Sequence, residues 1–342
     1  MSALQPITIV GGGLAGLSLG IGLCKAGVPT HIIEAGDYPR HRVCGEFITG
    51  LDDTTIDKLK IGPAFTGVGC HRSVTFFLRA NPVSRQILPS PARAISRYAL
   101  DARLAELFTA AGGRLSTRTR FTSPLVEPGW VLTNGRKRIE ASPWMGLKLH
   151  ARNLTVADDL ELHLSDNAYV GLSAVEDGWI NVCGLFRRRP RLEFDRDNAL
   201  PAYLRASGLS HLADRIAAAA VRLGSRSAAV GFEFDRGVSR DEGVQLGDAC
   251  GMIPPFTGNG MAMAFISAAL ALDPLTEWSR AELSWSETVR RIRDSLSREF
   301  KLRLSSAAVL HPFFLNRIGQ RCLGTLARFG LLPLRPMYQL LH

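Results

Sequence analysis

The residues with the clearest chemistry stand near the front of the chain. Gly11, Gly13 and Gly16 follow the apolar, β-branched run Ile7 to Val10, and Leu14 to Ala26 continues with helical spacing, so the glycines fall on a strand-to-helix turn. Such a turn suits a dinucleotide. Gly11 permits the tight bend, Gly13 lets the backbone approach a pyrophosphate, Gly16 lets helix and strand pack closely, and the free N–H groups around Leu14 and Ala15 face the phosphates. A second strand, Thr30 to Ile33, ends at Glu34, roughly twenty residues after the turn, where a carboxylate accepts hydrogen bonds from a ribose. An acid there fits the bare ribose of FAD or NAD and disfavours a 2′-phosphate.

A second constellation lies far along the chain. The strand Gly243 to Leu246 runs into Gly247-Asp248, then a Pro-Gly loop holding Pro255 and Phe256, then a small-residue helix from Gly260 to Leu272. Asp248 is placed to bind a polyol hydroxyl, while Gly258, Asn259, Gly260 and Met261 aim N–H groups at an electron-rich ring edge or a phosphate. Between the two motifs, Tyr38 to Phe47 is a loop dense in both charge signs, from which Arg40 and Arg42 offer cations to the pyrophosphate. Arg97 opens a helix that runs to Ala111. A cation is disfavoured there, so a partner from elsewhere, such as a cofactor phosphate, is expected if the residue is not simply at the surface. Cys44 reads as a small buried hydrophobe in preference to a reactive thiol.

The remaining elements frame a substrate site. Val74 to Leu78 and Val83 to Leu88 read as two strands, ended by Pro89 and Pro91. From Arg114 to Cys183 short runs at Trp130 to Leu132, Gly146 to His150, Leu160 to Leu164, Tyr169 to Leu172 and Trp179 to Leu185 describe a β-rich insert forming one wall of a cavity. Lys148, His150 and Tyr169, with Pro255 and Phe256, are the substrate-pocket candidates; His163 and Trp179 belong to the same stretch. No general acid, base or nucleophile is identifiable. Arg187 to Arg191 reads as a solvated basic turn or a contact for a nicotinamide-nucleotide phosphate. Leu200 to Ala220 reads as helical, and so does the chain after Pro274, with breaks at Pro312, Pro333 and Pro336.

Composition narrows the partners. The net charge is +10, from 41 basic and 31 acidic residues, which favours an anionic cofactor, an acidic substrate or a membrane surface. No nucleic-acid-binding motif accompanies it, so no nucleic acid is expected. The six cysteines show no metal-site spacing, and reduced thiols in a cytoplasm are the default. Neither a leader nor a spanning segment is legible; the expectation is a cytoplasmic protein, with peripheral membrane association as an option.

The two glycine motifs, one toward each end of a chain with a β-rich middle, resemble FAD-dependent oxidoreductases of the aromatic-ring hydroxylase, geranylgeranyl reductase and flavin halogenase superfamily. The resemblance implies an α/β fold: a Rossmann-type FAD-binding domain assembled from residues 1–73, 94–123 and 236–275, an inserted β-rich substrate domain from 74–93 and 124–235, and C-terminal helices over 276–342. It implies FAD, with Gly11, Gly13 and Gly16 on the pyrophosphate, Glu34 on the adenosine ribose, Asp248 on the ribitol and the Pro254 to Gly260 loop beside the isoalloxazine. Arg40, Arg42 and Arg97 match the superfamily's arginine loop and the helix-opening arginine. Asn134-Gly135-Arg136 stands where hydroxylases of this group carry Asp-Gly, and the halogenase Trp-x-Trp-x-Ile-Pro signature is absent. The activity implied is an NAD(P)H-dependent monooxygenase on a hydrophobic, polyketide-like or aromatic small molecule. A geranylgeranyl-reductase-like reduction of carbon–carbon double bonds and a non-catalytic flavin-retaining binding protein are the alternatives. The apolar run from Ala307 to Leu341, including Phe313, Phe314, Leu315, Ile318, Leu323, Leu326, Phe329, Leu331 and Leu332, either caps a greasy cavity or completes the core.

Overall fold

The computed structural model describes residues 4–122, 127–136, 139–235, 237–239, 241–329, 331, 336, 338 and 340. Leu332, Pro333 and Leu341, named above, lie outside the described residues. In chain order the first elements are β1 (Ile7–Val10), α1 (Leu14–Lys25), β2 (Thr30–Ile33), β3 (Phe47–Ile48), α2 (Asp53–Leu59), β4 (Gly69–Leu78), β5 (Asn81–Ala94) and α3 (Arg97–Ala110). The middle holds β6 (Arg114–Ser116), β7 (Trp130–Leu132), β8 (Trp144–Arg152), β9 (Leu160–Ser165), β10 (Ala168–Ala174) and β11 (Ile180–Arg187). Then come α4 (Ala199–Ala206), α5 (Ser210–Ala217), β12 (Ala220–Val221), β13 (Ser227–Val230), β14 (Val244–Gln245), α6 (Gly260–Ser279), α7 (Trp285–Leu315) and α8 (Arg317–Arg328).

The strands form two sheets. One is five-stranded in the order β14-β7-β1-β2-β6, with every pairing parallel. Its central strand β1 is covered by α1, whose residues from Leu14 to Leu23 are all buried. A helix apolar on every side belongs between other elements, and α1 shares one core with α3, α6 and α7. The second sheet runs β12-β8-β11-β10-β9-β4-β5-β3, with β13 also on β8. It is antiparallel except where β4 meets β9. One face packs against α4 and α5 through Leu147, Leu149, Val182, Leu204 and Leu212; the other faces the five-stranded sheet's carboxyl end and carries the site. The α/β architecture, with its parallel sheet and helices, is the one expected.

Several local expectations are corrected. Trp130 to Leu132 is not part of the insert but pairs with β1 in the parallel sheet. Pro89 and Pro91 do not end β5: its pairing with β4 jumps from His71↔Ala92 to Ser73↔Ile87, so both prolines sit in a bulge where no ladder N–H is required. Leu200 to Ala220 is two helices, broken at Gly208, whose φ of +79° ends α4. Helix α6 continues through Pro274, and α7 through Pro312, to Ser279 and Leu315. Of the C-terminal apolar run, Phe314 and Leu315 are buried, while Phe313, Ile318, Leu326, Phe329 and Leu331 are exposed.

Candidate functional site

A single cavity of about 650 Å³ runs from the β1–α1 turn to the second sheet, within the range of small-molecule sites. At one end Gly11, Gly13, Leu14 and Ala15 line it. Gly11 has φ +109°, and a Cβ there would lie 2.4 Å from the Thr133 carbonyl oxygen. Gly16 stands behind the wall, where a Cβ would come within 2.1 Å of the Gly11 carbonyl oxygen. A Cβ on Gly13 would meet nothing within 4 Å. The three glycines thus divide as their spacing indicates: one for the bend, one for close packing, one for an open cradle.

The charged loop surrounds that cradle. The Glu34 carboxylate accepts hydrogen bonds from the Gly12 and Gly36 N–H groups at 2.7 and 2.6 Å and pairs with Arg40 at 2.6 Å. Burial opposes its ionisation, but the Gly36 N–H, Arg40, Arg42 and the Gly12 N–H outweigh it and hold the carboxyl below the usual carboxylate range. Arg42 pairs with Asp101 at 3.1 Å. Arg97 makes two contacts to the same carboxylate, at 2.7 and 2.8 Å. The partner that Arg97 requires is therefore one turn along its own helix, and Asp101 escaped sequence reasoning although its i,i+4 spacing is legible. Three arginines against two carboxylates leave one surplus positive charge facing the cavity through Arg40, Arg42 and Arg97, which attracts a diphosphate and offsets part of its charge.

At the carboxyl end of β14, Gly247 and Asp248 line the same cavity. Asp248 is exposed, and the space it faces is that cavity, enclosed by protein. The enclosure raises its carboxyl above the usual value, opposed by Arg97, Arg136 and Arg42. Pro255, Phe256, Gly258, Gly260 and Met261 complete this end. Gly258 has φ +68° and a Cβ there would lie 2.3 Å from Phe47; Thr49 donates to its carbonyl at 3.1 Å. Asn259 is buried at the N-cap position of α6, behind the lining and without a side-chain capping bond. These residues fit a flavin nucleotide: a turn without Cβ atoms at Gly11 and Gly13, surplus positive charge, a carboxylate facing the cavity and a helix N-terminus at its wall.

The far wall is the inner face of the second sheet. Registers place Gly146, Leu185, Tyr169, Leu164 and Leu78 in one row across β8, β11, β10, β9 and β4, and all five line the cavity. Burial keeps the Tyr169 hydroxyl protonated, its pKa well above the ordinary value. Tyr169 meets Phe256 and His311 edge-on, with ring centroids 6.3 Å apart in each case. Phe256 stacks on Phe314 at 4.2 Å. His311, on α7, is buried, and burial lowers its pKa to about 4, so the ring is neutral near pH 7. The sequence offered no periodic signal for it, because it sits on an otherwise ordinary helical face.

Lys148 and His150 share that sheet face but do not reach the cavity. Both are completely buried against Glu46, Lys148 Nζ on one carboxylate oxygen and His150 Nε2 on the other at 2.6 Å. The Arg97 N–H also donates to Glu46 at 2.9 Å, and Glu46 has φ +59°. Burial works against its charge, but Lys148 and His150 hold its carboxyl below the usual range. Asn181 and Ser173 donate to the Gly45 carbonyl at 2.8 and 2.7 Å, clamping residues 43–46 onto the sheet over these side chains. Cys44 and Cys183 line the cavity, with thiols pushed up by burial; they act as small apolar groups. Asn134 and Gly135 line the cavity, while Arg136 lies over the Phe232 ring at 4.3 Å. His163 and Trp179 are not in the lining: His163 pairs with Glu161, which is, and Arg152 covers Trp179.

No protein-family model and no curated protein sequence matches the chain. Solved structures do. The p-nitrophenol 4-monooxygenase PnpA of Pseudomonas putida aligns with 11% identity over 100% of this chain and 97% of its own, with a TM-score of 0.79. HpxO of Klebsiella pneumoniae, solved with FAD and uric acid, aligns with 15% identity over 98% and 96%, TM-score 0.76. The flavin-dependent brominase Bmp2 aligns with 16% identity over 99% and 93%, TM-score 0.76. Likeness at these identities is likeness of fold, and the chain has the fold of the FAD-dependent monooxygenases and flavin halogenases.

Proposed function

We propose that the protein is an FAD-dependent oxidoreductase, an NAD(P)H-dependent monooxygenase acting on a hydrophobic, polyketide-like or aromatic small molecule. The observation that carries this reading is the continuity of one cavity from the glycine cradle to an apolar sheet wall. Gly11, Gly13, Leu14 and Ala15 would hold the pyrophosphate, Glu34 the adenosine ribose and Asp248 the ribitol, with Arg40, Arg42 and Arg97 balancing the phosphate charge. When bound, the cofactor supplies oxygen activation by electrons from a nicotinamide donor. This chain's residues do the rest. The α6 N-terminus at Gly260 and Met261 stabilises negative charge at the cavity wall. Val74, Phe76, Leu160, Leu162 and Leu164 exclude water. The Tyr169 side chain, largely buried, forms part of the wall against which a substrate would rest.

The purified protein should absorb at the flavin bands and, with NADPH or NADH and substrate, consume dissolved oxygen and yield a product one oxygen atom heavier. A product heavier by two hydrogens without oxygen uptake assigns it instead to double-bond reduction. A flavin that stays oxidised with every lipophilic candidate assigns it to ligand binding. The apolar wall makes a second prediction: across alkylated phenols or prenols, each buried methylene should contribute about 0.8 kcal/mol, about fourfold in affinity. Titration followed by flavin absorbance checks this, and affinity independent of chain length would refute the hydrophobic substrate.

A further inference from the structure

Helix α8 has two unlike faces. Gln320, Leu323 and Gly324 line the cavity, whereas Ile318, Cys322 and Leu326 on the opposite face are exposed. Phe329 continues their stripe at 74% exposure, and Phe313 and Leu331 flank it in the open. Of the eleven large hydrophobic side chains exposed among the described residues, eight belong to residues 302–340, a concentration unlike the scatter that soluble surfaces ordinarily show. The charge carried by this stretch has one sign, although Arg303 and Arg317 pair with Glu299 and Asp166 from outside it. From residue 300 to 342 the sequence holds six basic residues and no acidic one. Lys301 on α7 and Arg321 on α8 are exposed, and an apolar stripe on an element carrying exposed cations is complementary to an anionic lipid surface. A second copy of the chain would bring like charge against like charge. No helix among the described residues is long and apolar enough to cross a membrane, so attachment would be in the interfacial plane.

The cavity reaches this same helix. Beyond Leu164 and Tyr169 its lining passes to Leu78, Val83 and Leu88 and ends against Leu323 and Tyr338, where the Tyr338 hydroxyl meets Ser90 Oγ at 2.6 Å. We infer that the outer face of α8 with the adjoining end of α7 docks on anionic bilayers, and that a lipophilic substrate passes from the bilayer beneath α8 into the cavity. The delivery half of the inference rests on the proposed function; the docking half does not.

Vesicle sedimentation tests the docking half with the full-length protein, without substrate or electron donor. Phosphatidylcholine vesicles containing about 30 mol % phosphatidylglycerol should retain at least about tenfold more protein than phosphatidylcholine alone, and the excess should vanish in high salt. The triple variant Ile318→Glu, Leu326→Glu, Phe329→Glu alters only outward side chains and should lose the binding while keeping its melting temperature. If it fails to fold, Lys301→Glu with Arg321→Glu replaces it, since both side chains are exposed; the same loss is expected. Equal retention on neutral vesicles, or none, overturns the inference. So does a wild-type dimer in light scattering that the triple variant turns into a monomer, which would assign the face to a second copy. Because no turnover enters the readout, failure here leaves the oxidoreductase reading standing, and an inactive protein that binds vesicles leaves the docking standing.

Discussion

Gly13→Val should purify as a folded, colourless protein, whereas Gly16→Val should be markedly destabilised. The two glycines differ by three positions and belong to one motif, yet their surroundings are opposite. A Cβ at Gly13 enters open space, and its φ of −88° and ψ of −170° are ordinary for any residue. A valine there occupies the place where backbone meets pyrophosphate, so cofactor retention is lost with little change in melting temperature. At Gly16 the Cβ would stand 2.1 Å from the Gly11 carbonyl oxygen and 2.6 Å from Thr133 Oγ1. Neither backbone nor buried strand can move that far, and overpacking of this kind costs about 1–3 kcal/mol or more. Flavin absorbance per mole and thermal melting of both variants decide the matter. Full flavin occupancy in Gly13→Val would show that the nucleotide site has been misplaced.

Lys148→Met should destabilise the protein by about 3–5 kcal/mol, because it leaves the Glu46 carboxylate buried without its cation. The double variant Lys148→Met, Glu46→Gln should regain much of that loss, and urea unfolding of the two variants measures the difference. Glu46, with Glu161 in a separate cluster beside His163, predicts an acid limit. Glu46 and Glu161 both have folded-state pKa values below their unfolded ones. Their stabilisation is fully present above the unfolded value and is lost as pH falls through the folded value. For Glu161 that window runs from about 4.5 down to about 2. Melting temperature should therefore fall steeply across it in the wild type. A single variant whose stability equals the wild type's would show that the triad is dispensable.

What was legible in the sequence was legible because it is local. Strand, glycine turn, helix and acid follow one another within residues 7–34, and the strand-Asp-loop-helix run within 243–272, so each motif carries its own context. The β-rich wall was readable for the same reason, since alternation along a strand needs no knowledge of its neighbours. Lys148 and His150 show where such reading stops. They have the parity of Gly146 and therefore the correct face, but the loop from Val43 to Glu46 lies across that part of the sheet, and nothing at residues 148–150 announces a loop a hundred positions upstream. Pro89 and Pro91 misled in the other direction: a bulge absorbs them, and bulges depend on the partner strand. Asp101 was hidden by an expectation that an arginine at a helix start looks outward for its anion, when the helix itself provides one.

The strand order of the five-stranded sheet has a consequence for synthesis. Its central strand is made first, but the neighbours that close it on one side are β7 and β14, ending at Gln245, and the helix that packs on α1 ends at Ser279. At ribosomal speeds of about 5–20 residues per second, the phosphate turn waits roughly 10–50 s for its own supports. During that interval α1, buried from Leu14 to Leu23 in the finished fold, has α3 to pack against but not α6. A nascent chain with so much long-range pairing is exposed to capture by chaperones and to aggregation, and it gains the shape that binds the nucleotide only after most of the polypeptide has left the tunnel. Recombinant yield should therefore respond to slower induction and to chaperone supply.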